Sequence, residues 1–187
     1  VDLMKRRDKD GLYQQILATM ERSANRGTDL VKQILSFARG MEGSRTPLSI
    51  KQICHETKFM VQNSFPKNIT IDCHVPPDLW PVLGEPTQLV QVLLNLYLNA
   101  PDAMPEGGKI EFCAQNVDIS PEHAAIYPGS PSGRFVGISV ADSGVGMTKD
   151  VLDRVFEPFF TTKPIGRGTG LGLSSAMTIV RTHGGFM

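Results

Sequence analysis

The spacing of apolar residues changes at Gly40, and that change constrains the fold before any other feature is considered. Over residues 12–39 there is no proline, and apolar or small residues recur in sevens. Ile16, Met20, Ser23, Gly27, Leu30, Ile34 and Phe37 advance by alternating steps of four and three, with Leu17, Ala24, Val31 and Ala38 one residue along. Two adjacent heptad rows make a stripe too broad for a two-stranded seam and suited to a four-helix bundle. A helix so striped needs partners. Residues 40–47, Gly-Met-Glu-Gly-Ser-Arg-Thr-Pro, read as a helix stop followed by a linker.

Beyond the linker the pattern is mixed. Residues 50–65 suit a helix, and Ile69, Ile71, Cys73 and Val75 alternate as in a strand. Pro76 and Pro77 break that strand. A second apolar helix is expected over 85–104, a turn at 105–108, a strand over 109–119 and a polar loop over 120–133. Residues 135–141 read as a strand and 149–156 as a short helix. Residues 157–172 are rich in glycine and threonine and show no period, and 173–182 close with a helix. The expected class is α+β, a two-layer α/β sandwich preceded by a long bundle helix.

The charge balance narrows the function. Lys plus Arg and Asp plus Glu both number 19, so no net field gathers nucleic acid or an anionic membrane. No apolar run is long enough to span a bilayer. Cys54, Cys73 and Cys113 are odd in number and widely spaced, which fits a reducing cytoplasm better than a disulfide framework. Cys54-His55 and Cys73-His74 invite a zinc reading. Adjacent side chains diverge and the CxxC spacing is absent, so packing is the better account.

Three local patterns carry chemistry. In Asn95-Leu-Tyr-Leu-Asn99-Ala-Pro-Asp102-Ala, Asn95 and Asn99 are four apart, which on a continuous helix puts both amides on one face. An amide oxygen suits a hard cation such as Mg²⁺; the alternative is a pair of capping or solvent-facing asparagines. In Asp142-Ser-Gly144-Val-Gly146-Met147, a carboxylate ends a strand and two glycines allow close backbone approach. Alone, that pattern reads as an ordinary turn. In Gly166-Arg-Gly168-Thr169-Gly170-Leu171-Gly172-Leu173, glycine at every second position runs into a helix N-terminus, a favourable place for phosphate. A flexible linker is the alternative there, although linkers rarely carry alternating leucines.

Together the three patterns resemble the N, G1 and G2 boxes of histidine kinases in the GHKL, or Bergerat-fold, ATPase superfamily. Between the last two, Phe156-Glu-Pro-Phe159-Phe160-Thr-Thr-Lys163 is similar to the F box. Gly84-Glu-Pro-Thr-Gln-Leu and His183-Gly-Gly185 also resemble segments of these kinases. The resemblance implies a second dimerisation-domain helix with its linker over 1–46 and an ATP-binding catalytic domain over 47–187. It implies Mg²⁺ on Asn99 with Asn95 in support, Asp142 accepting from the adenine amino group, and Gly144, Gly146 and Met147 around the base. Gly168, Thr169, Gly170, Leu171 and Gly172 would wrap the phosphates. Asp102 joins the nucleotide-binding set, Phe156 anchors a lid over 157–168, and Lys163 reaches phosphate.

The hydrolysing members of the superfamily resemble this helix but carry a glutamate where Asn95 stands, a general base that an amide cannot replace. A kinase is therefore preferred over a GHKL-type ATPase or a degenerate nucleotide-binding module. The resemblance places the phosphate-accepting histidine on a preceding helix, and His55, His74, His123 and His183 read as structural. The expected partners are ATP, a second copy through the N-terminal helix, and a response-regulator receiver domain. The chain starts at Val1 and stops at Met187 where the family continues into further strands, so it reads as a piece with an exposed sheet edge. Pro101, inside the expected helix 85–104, should strain it by roughly 3 kcal/mol unless the helix bends or ends there. On that argument Pro101→Arg would strengthen nucleotide binding.

Overall fold

A computed structural model describes residues 17, 20, 44–62, 64–126, 131–164 and 168–187. The chain divides into two compact units, residues 1–40 and 41–187. The expected bundle helix over 12–39 lies outside the described residues, apart from Leu17 and Met20. The second unit contains everything that follows.

Its elements are β1 (Thr46–Leu48), α1 (Ile50–Gln62), β2 (Ile69–His74), β3 (Val82–Gly84), α2 (Pro86–Tyr97), α3 (Ala100–Ala103) and β4 (Gly108–Ile119). They continue as α4 (Pro121–Ile126), β5 (Gly133–Asp142), α5 (Lys149–Leu152) and α6 (Gly172–Thr182). β2, β4 and β5 form one sheet in that order, β2 parallel and β5 antiparallel to β4. β1 and β3 form a separate antiparallel ribbon, so the last two residues of the expected linker are strand. Strands this short carry too little pattern to stand out in the sequence.

The sandwich is as expected. Ile69 and Ile71 of β2 with Ile110, Phe112 and Ala114 of β4 present one apolar sheet face. Against it pack Ile50, Ile53, Cys54 and Val61 of α1 and Leu93 and Tyr97 of α2. Tyr97 and Phe112 stack with ring centroids 6.2 Å apart. The other side of α2 buries Val92 against Ala176 and Ile179 of α6. α2 is thus apolar on two sides, one toward the sheet and α1 and the other toward α6.

Three expectations change. The helix expected over 85–104 stops at Tyr97, and Leu98 caps it. Pro101 therefore sits in the opening turn of α3, where a missing N–H and a fixed φ cost little. The strain assigned to it does not arise, and with it goes the reason for Pro101→Arg to strengthen binding. Residues 120–133 are not all loop, since α4 occupies Pro121–Ile126. The zinc alternative finds no group of three His, Cys, Asp or Glu placed for a metal among the described residues. No described helix is long and apolar enough to cross a membrane.

The N-terminal end of α2 is pinned. Glu85 accepts from the Thr87 and Gln88 amides at 3.1 and 2.6 Å, an N-cap reinforced by Pro86. His183, just past α6, bonds the Ile179 carbonyl through Nδ1 at 2.8 Å, and its Nε2 accepts from the Glu85 amide at 3.1 Å. The two bonds define the neutral tautomer with the proton on Nδ1. They also join Gly84-Glu-Pro to His183-Gly-Gly, two segments far apart in the sequence. His183→Phe should destabilise the chain by about 1–3 kcal/mol by leaving the Glu85 amide unpaired, read as a lower urea midpoint with unchanged slope.

Burial pushes the Cys54 thiol and the Tyr97 hydroxyl well above their ordinary values of 9.0 and 10.0. The folded chain keeps both protons where the unfolded chain has begun to lose them. The stabilisation is full below about pH 9 and drains away above it. Denaturant midpoints should hold from neutrality to about pH 8.5 and fall at about pH 10, with a shallower fall in Cys54→Val.

Candidate nucleotide-binding site

The register of the sheet assembles the site. Because Ile110 pairs with Asp142, the last residue of β5 lies beside the first residues of β4, immediately after α3. Two clasps hold it there. Ser143 N donates to the Lys109 carbonyl at 3.0 Å, and Lys109 N donates to Ser143 Oγ at 2.9 Å. Val145 N then donates to the Ala103 carbonyl at 3.0 Å. Between these clasps, Gly144 N donates to Asp142 Oδ1 at 2.9 Å. A Cβ on Gly144 would lie 2.6 Å from both Cβ and carbonyl oxygen of Ala103, so only glycine lets this loop approach α3. Gly146 adopts φ +70, with open space where a Cβ would point. Asp142 and Met147 are exposed.

At the end of α2 the two asparagines part company. Asn99 lies beyond the helix terminus, not on a shared helical face. Its Nδ2 donates back to the Asn95 carbonyl at 2.9 Å, which leaves Oδ1 as the outward group. Lys163, from the segment after Phe160, places Nζ 3.3 Å from Asn99 Oδ1 and 2.5 Å from Asp102 Oδ2. Asn95 turns its side chain toward α6. A Cβ on Gly172 would meet Asn95 Oδ1 at 3.7 Å, and the buried Asn95 Nδ2 has no hydrogen-bond partner among the described residues.

The glycine ribbon joins this corner directly. A Cβ on Gly168 would lie 2.6 Å from Thr161 Oγ1 and 3.1 Å from Lys163 Cδ, so the ribbon crosses the lid at van der Waals range. Phe159 N donates to the Gly170 carbonyl at 2.9 Å. At this crossing Phe159 holds φ 68 and Gly170 φ +66, and a Cβ on Gly170 would fall 2.3 Å from the Phe159 carbonyl carbon. Leu171 N bonds Thr169 Oγ1 at 3.3 Å, a local turn that delivers the chain to the N-terminus of α6. Beyond the lid's other end, Arg154 lies 4.3 Å above the Phe160 ring and pairs with Glu157 at 3.0 Å. Phe156 is half-buried in this stretch.

The asparagine pair, the aspartate after the strand and the ribbon therefore meet at one corner, where α2 ends, α6 begins and β5 finishes. Asn99 Oδ1 and Asp102 Oδ2 already share one ammonium. Two hard oxygens holding a cation are a donor set that fits a hard metal ion. The N-terminus of α6 opposite them favours anions. The Lys163–Asp102 pair and the Asn95–Gly172 contact are additions to the motif reading. Both join residues far apart in the chain, and no local spacing announces them.

Residues 84–187 match the family model described as "Histidine kinase-, DNA gyrase B-, and HSP90-like ATPase". The chain belongs to this family. It is 36% identical over 185 residues to the sensor kinase CckA of Brucella abortus, covering 99% of this chain and 20% of that protein. It is 34% identical over 182 residues to the sensor histidine kinase ZraS of Klebsiella oxytoca, covering 97% of this chain and 36% of that protein. Among solved structures, full-length ShkA in complex with AMPPNP superposes with TM-score 0.68 at 26% identity, covering 91% of this chain and 34% of that one. The chain thus spans only about a fifth to a third of these relatives' lengths. Gly170→Ala should lower stability by about 1–3 kcal/mol, because alanine must hold a positive φ against the Phe159 backbone. The loss is read by thermal melting, and Gly146→Ala, with open space at its Cβ, should cost less.

Proposed function

We propose that this chain is the ATP-binding catalytic part of a two-component sensor histidine kinase. The observation that carries the reading is the corner itself, where Asn99, Asp102 and Lys163 meet beside Gly168 and the start of α6. Asn99 Oδ1 is the group that would hold Mg²⁺, which would supply positive charge against the phosphates. Asn95 supports that geometry from its place between the Asn99 side chain and Gly172. Asp142 takes the adenine amino group, with Oδ1 fixed by the Gly144 amide, and Gly144, Gly146 and Met147 border the base. Gly168, Thr169, Gly170, Leu171 and Gly172 present backbone amides to the phosphates. Lys163 exchanges Asp102 for phosphate when nucleotide arrives, and Phe156 belongs to the lid that follows it.

Transfer to a protein histidine is preferred to hydrolysis because Asn95 cannot take a proton from water. The acceptor lies on a separate helix. Within this unit His55 and His123 are exposed on helices, His74 pairs with Glu111 at 3.3 Å, and His183 bridges α2 and α6. The whole protein would act as a cytoplasmic homodimer through the N-terminal helix and pass phosphate to a response-regulator receiver domain.

ATP titration with and without Mg²⁺ tests the assignment. Asn99→Ala should weaken binding about tenfold with Mg²⁺ and little without it, whereas Asp142→Ala should weaken both by a similar factor. Lys163→Met should leave the fold intact and reduce affinity for ATP more than for adenosine. Equal Mg²⁺-dependent affinity in Asn99→Ala would remove the metal assignment. With labelled ATP the chain alone should stay unlabelled, and acid-labile phosphate on His55 would overturn the placement of the acceptor.

A further inference from the structure

Two thiols meet in the core below α2. Cys54, on the inner face of α1, is wholly buried, and its Sγ lies 2.8 Å from Sγ of Cys73 on β2. Forming the covalent bond, about 2.05 Å long, needs only roughly 0.8 Å of further approach. The two residues sit on different elements of one packed core, so no large rearrangement is needed to join them. The third cysteine is turned away. Cys73 pairs in register with the buried Phe112, whereas Cys113 is the next residue along β4 and therefore points to the opposite face.

The two sulfurs are unequally exposed. Cys73 is half-buried, on a strand whose only described sheet partner is β4, and so is the more exposed of the two. Cys54 is enclosed, and burial together with the neighbouring Cys73 sulfur keeps it a neutral thiol. With the sulfurs 2.8 Å apart, oxidation of the more exposed one leaves the other within reach to close a bond on it. Beside Cys54 lies the buried Tyr97 hydroxyl, within hydrogen-bonding reach of that thiol. Tyr97 is the α2 residue midway between Asn95 and Asn99.

We propose that Cys54 and Cys73 form an oxidant-responsive pair that closes into an intrachain disulfide between α1 and β2. Hydrogen peroxide is the oxidant. The Cys73 sulfur attacks one peroxide oxygen, an S–O bond forms, the O–O bond breaks, and the released hydroxide takes up the thiol proton as water. The Cys54 sulfur then attacks the Cys73 sulfenyl sulfur, the S–S bond forms and the S–O bond breaks. The departing hydroxide carries off the second thiol proton as another water. Two thiols lose two electrons and one peroxide becomes two waters.

Neither sulfur belongs to the nucleotide site, so the test stands apart from the kinase reading. The whole chain is treated with hydrogen peroxide, its remaining thiols are blocked with N-ethylmaleimide under denaturing conditions, and its peptides are weighed. The expected result is one linked peptide pair carrying Cys54 and Cys73, with Cys113 blocked by maleimide. Dithiothreitol should return all three thiols, and oxidation should raise the melting temperature reversibly. Cys113→Ser should keep the link and Cys73→Ser should lose it. Recovery of Cys54 and Cys73 as free thiols, of Cys73 as sulfinic or sulfonic acid without a link, or of a disulfide to Cys113 would overturn the proposal. The wild-type mass measurement decides even if Cys73→Ser does not fold.

Discussion

The structure depends on α2 being buried on two sides at once. Tyr97 and Leu93 bind it to the sheet, and Val92 binds it to α6. A helix held this way cannot roll, because turning either apolar row outward exposes it to water at about 25 cal/mol per Å². Its ends are therefore fixed points. The Glu85 cap and His183 hold one end, and at the other Asn99 folds back on the Asn95 carbonyl. Asn95 faces Gly172 because α2 and α6 share a packed surface. That placement follows from the core, with no separate device to position it.

Function is layered on this support as polar groups that the core leaves unmatched. The Asn95 amide nitrogen is buried without a partner among the described residues, and a group so placed carries a desolvation cost until something bonds it. Lys163 answers two oxygens, one from Asn99 between α2 and α3 and one from Asp102 of α3, with one ammonium, and so ties the lid to the same corner. Opposing these are Phe159 in left-handed backbone and Gly170 pressed against it, a crossing tolerated only while one of the two residues lacks a side chain. Rigid packing thus lies below, and a strained, polar crossing lies above it.

Much of this was legible in the residues because the signals are periodic or punctuating. Ile69, Ile71 and Cys73 alternate and form β2, and the glycine ribbon does run into α6. Asp142-Ser-Gly144 ends β5 and turns through the Asx bond that its residue types favour. What was not legible has a physical cause in each case. The break at Leu98 was hidden because Asn99 keeps near-helical angles, φ −82 and ψ −28, while Pro101 suggests a kink as readily as a fresh start. β1 and β3 are three residues each, below the length at which alternation means anything. Lys163 and Asp102 lie about sixty residues apart in the chain, and only the tertiary fold reveals their pairing.

The placement of the β4–β5 clasps has a consequence for how freely this protein can vary. The hairpin is locked at its open end, where Ser143 and Lys109 exchange bonds and Val145 reaches Ala103. The alignment of the two strands is carried along their whole length, from Ile110↔Asp142 to Ile119↔Gly133, and these clasps add to it. Slipping the pair by two residues would carry Asp142 some 7 Å from Ala103 and break every one of those bonds. Lengthening or shortening the distal connection, residues 120–132, leaves them untouched. Evolution can therefore rebuild that far tip, and hang new recognition surfaces from it, without the corner formed by Asp142 and Ala103 registering the change.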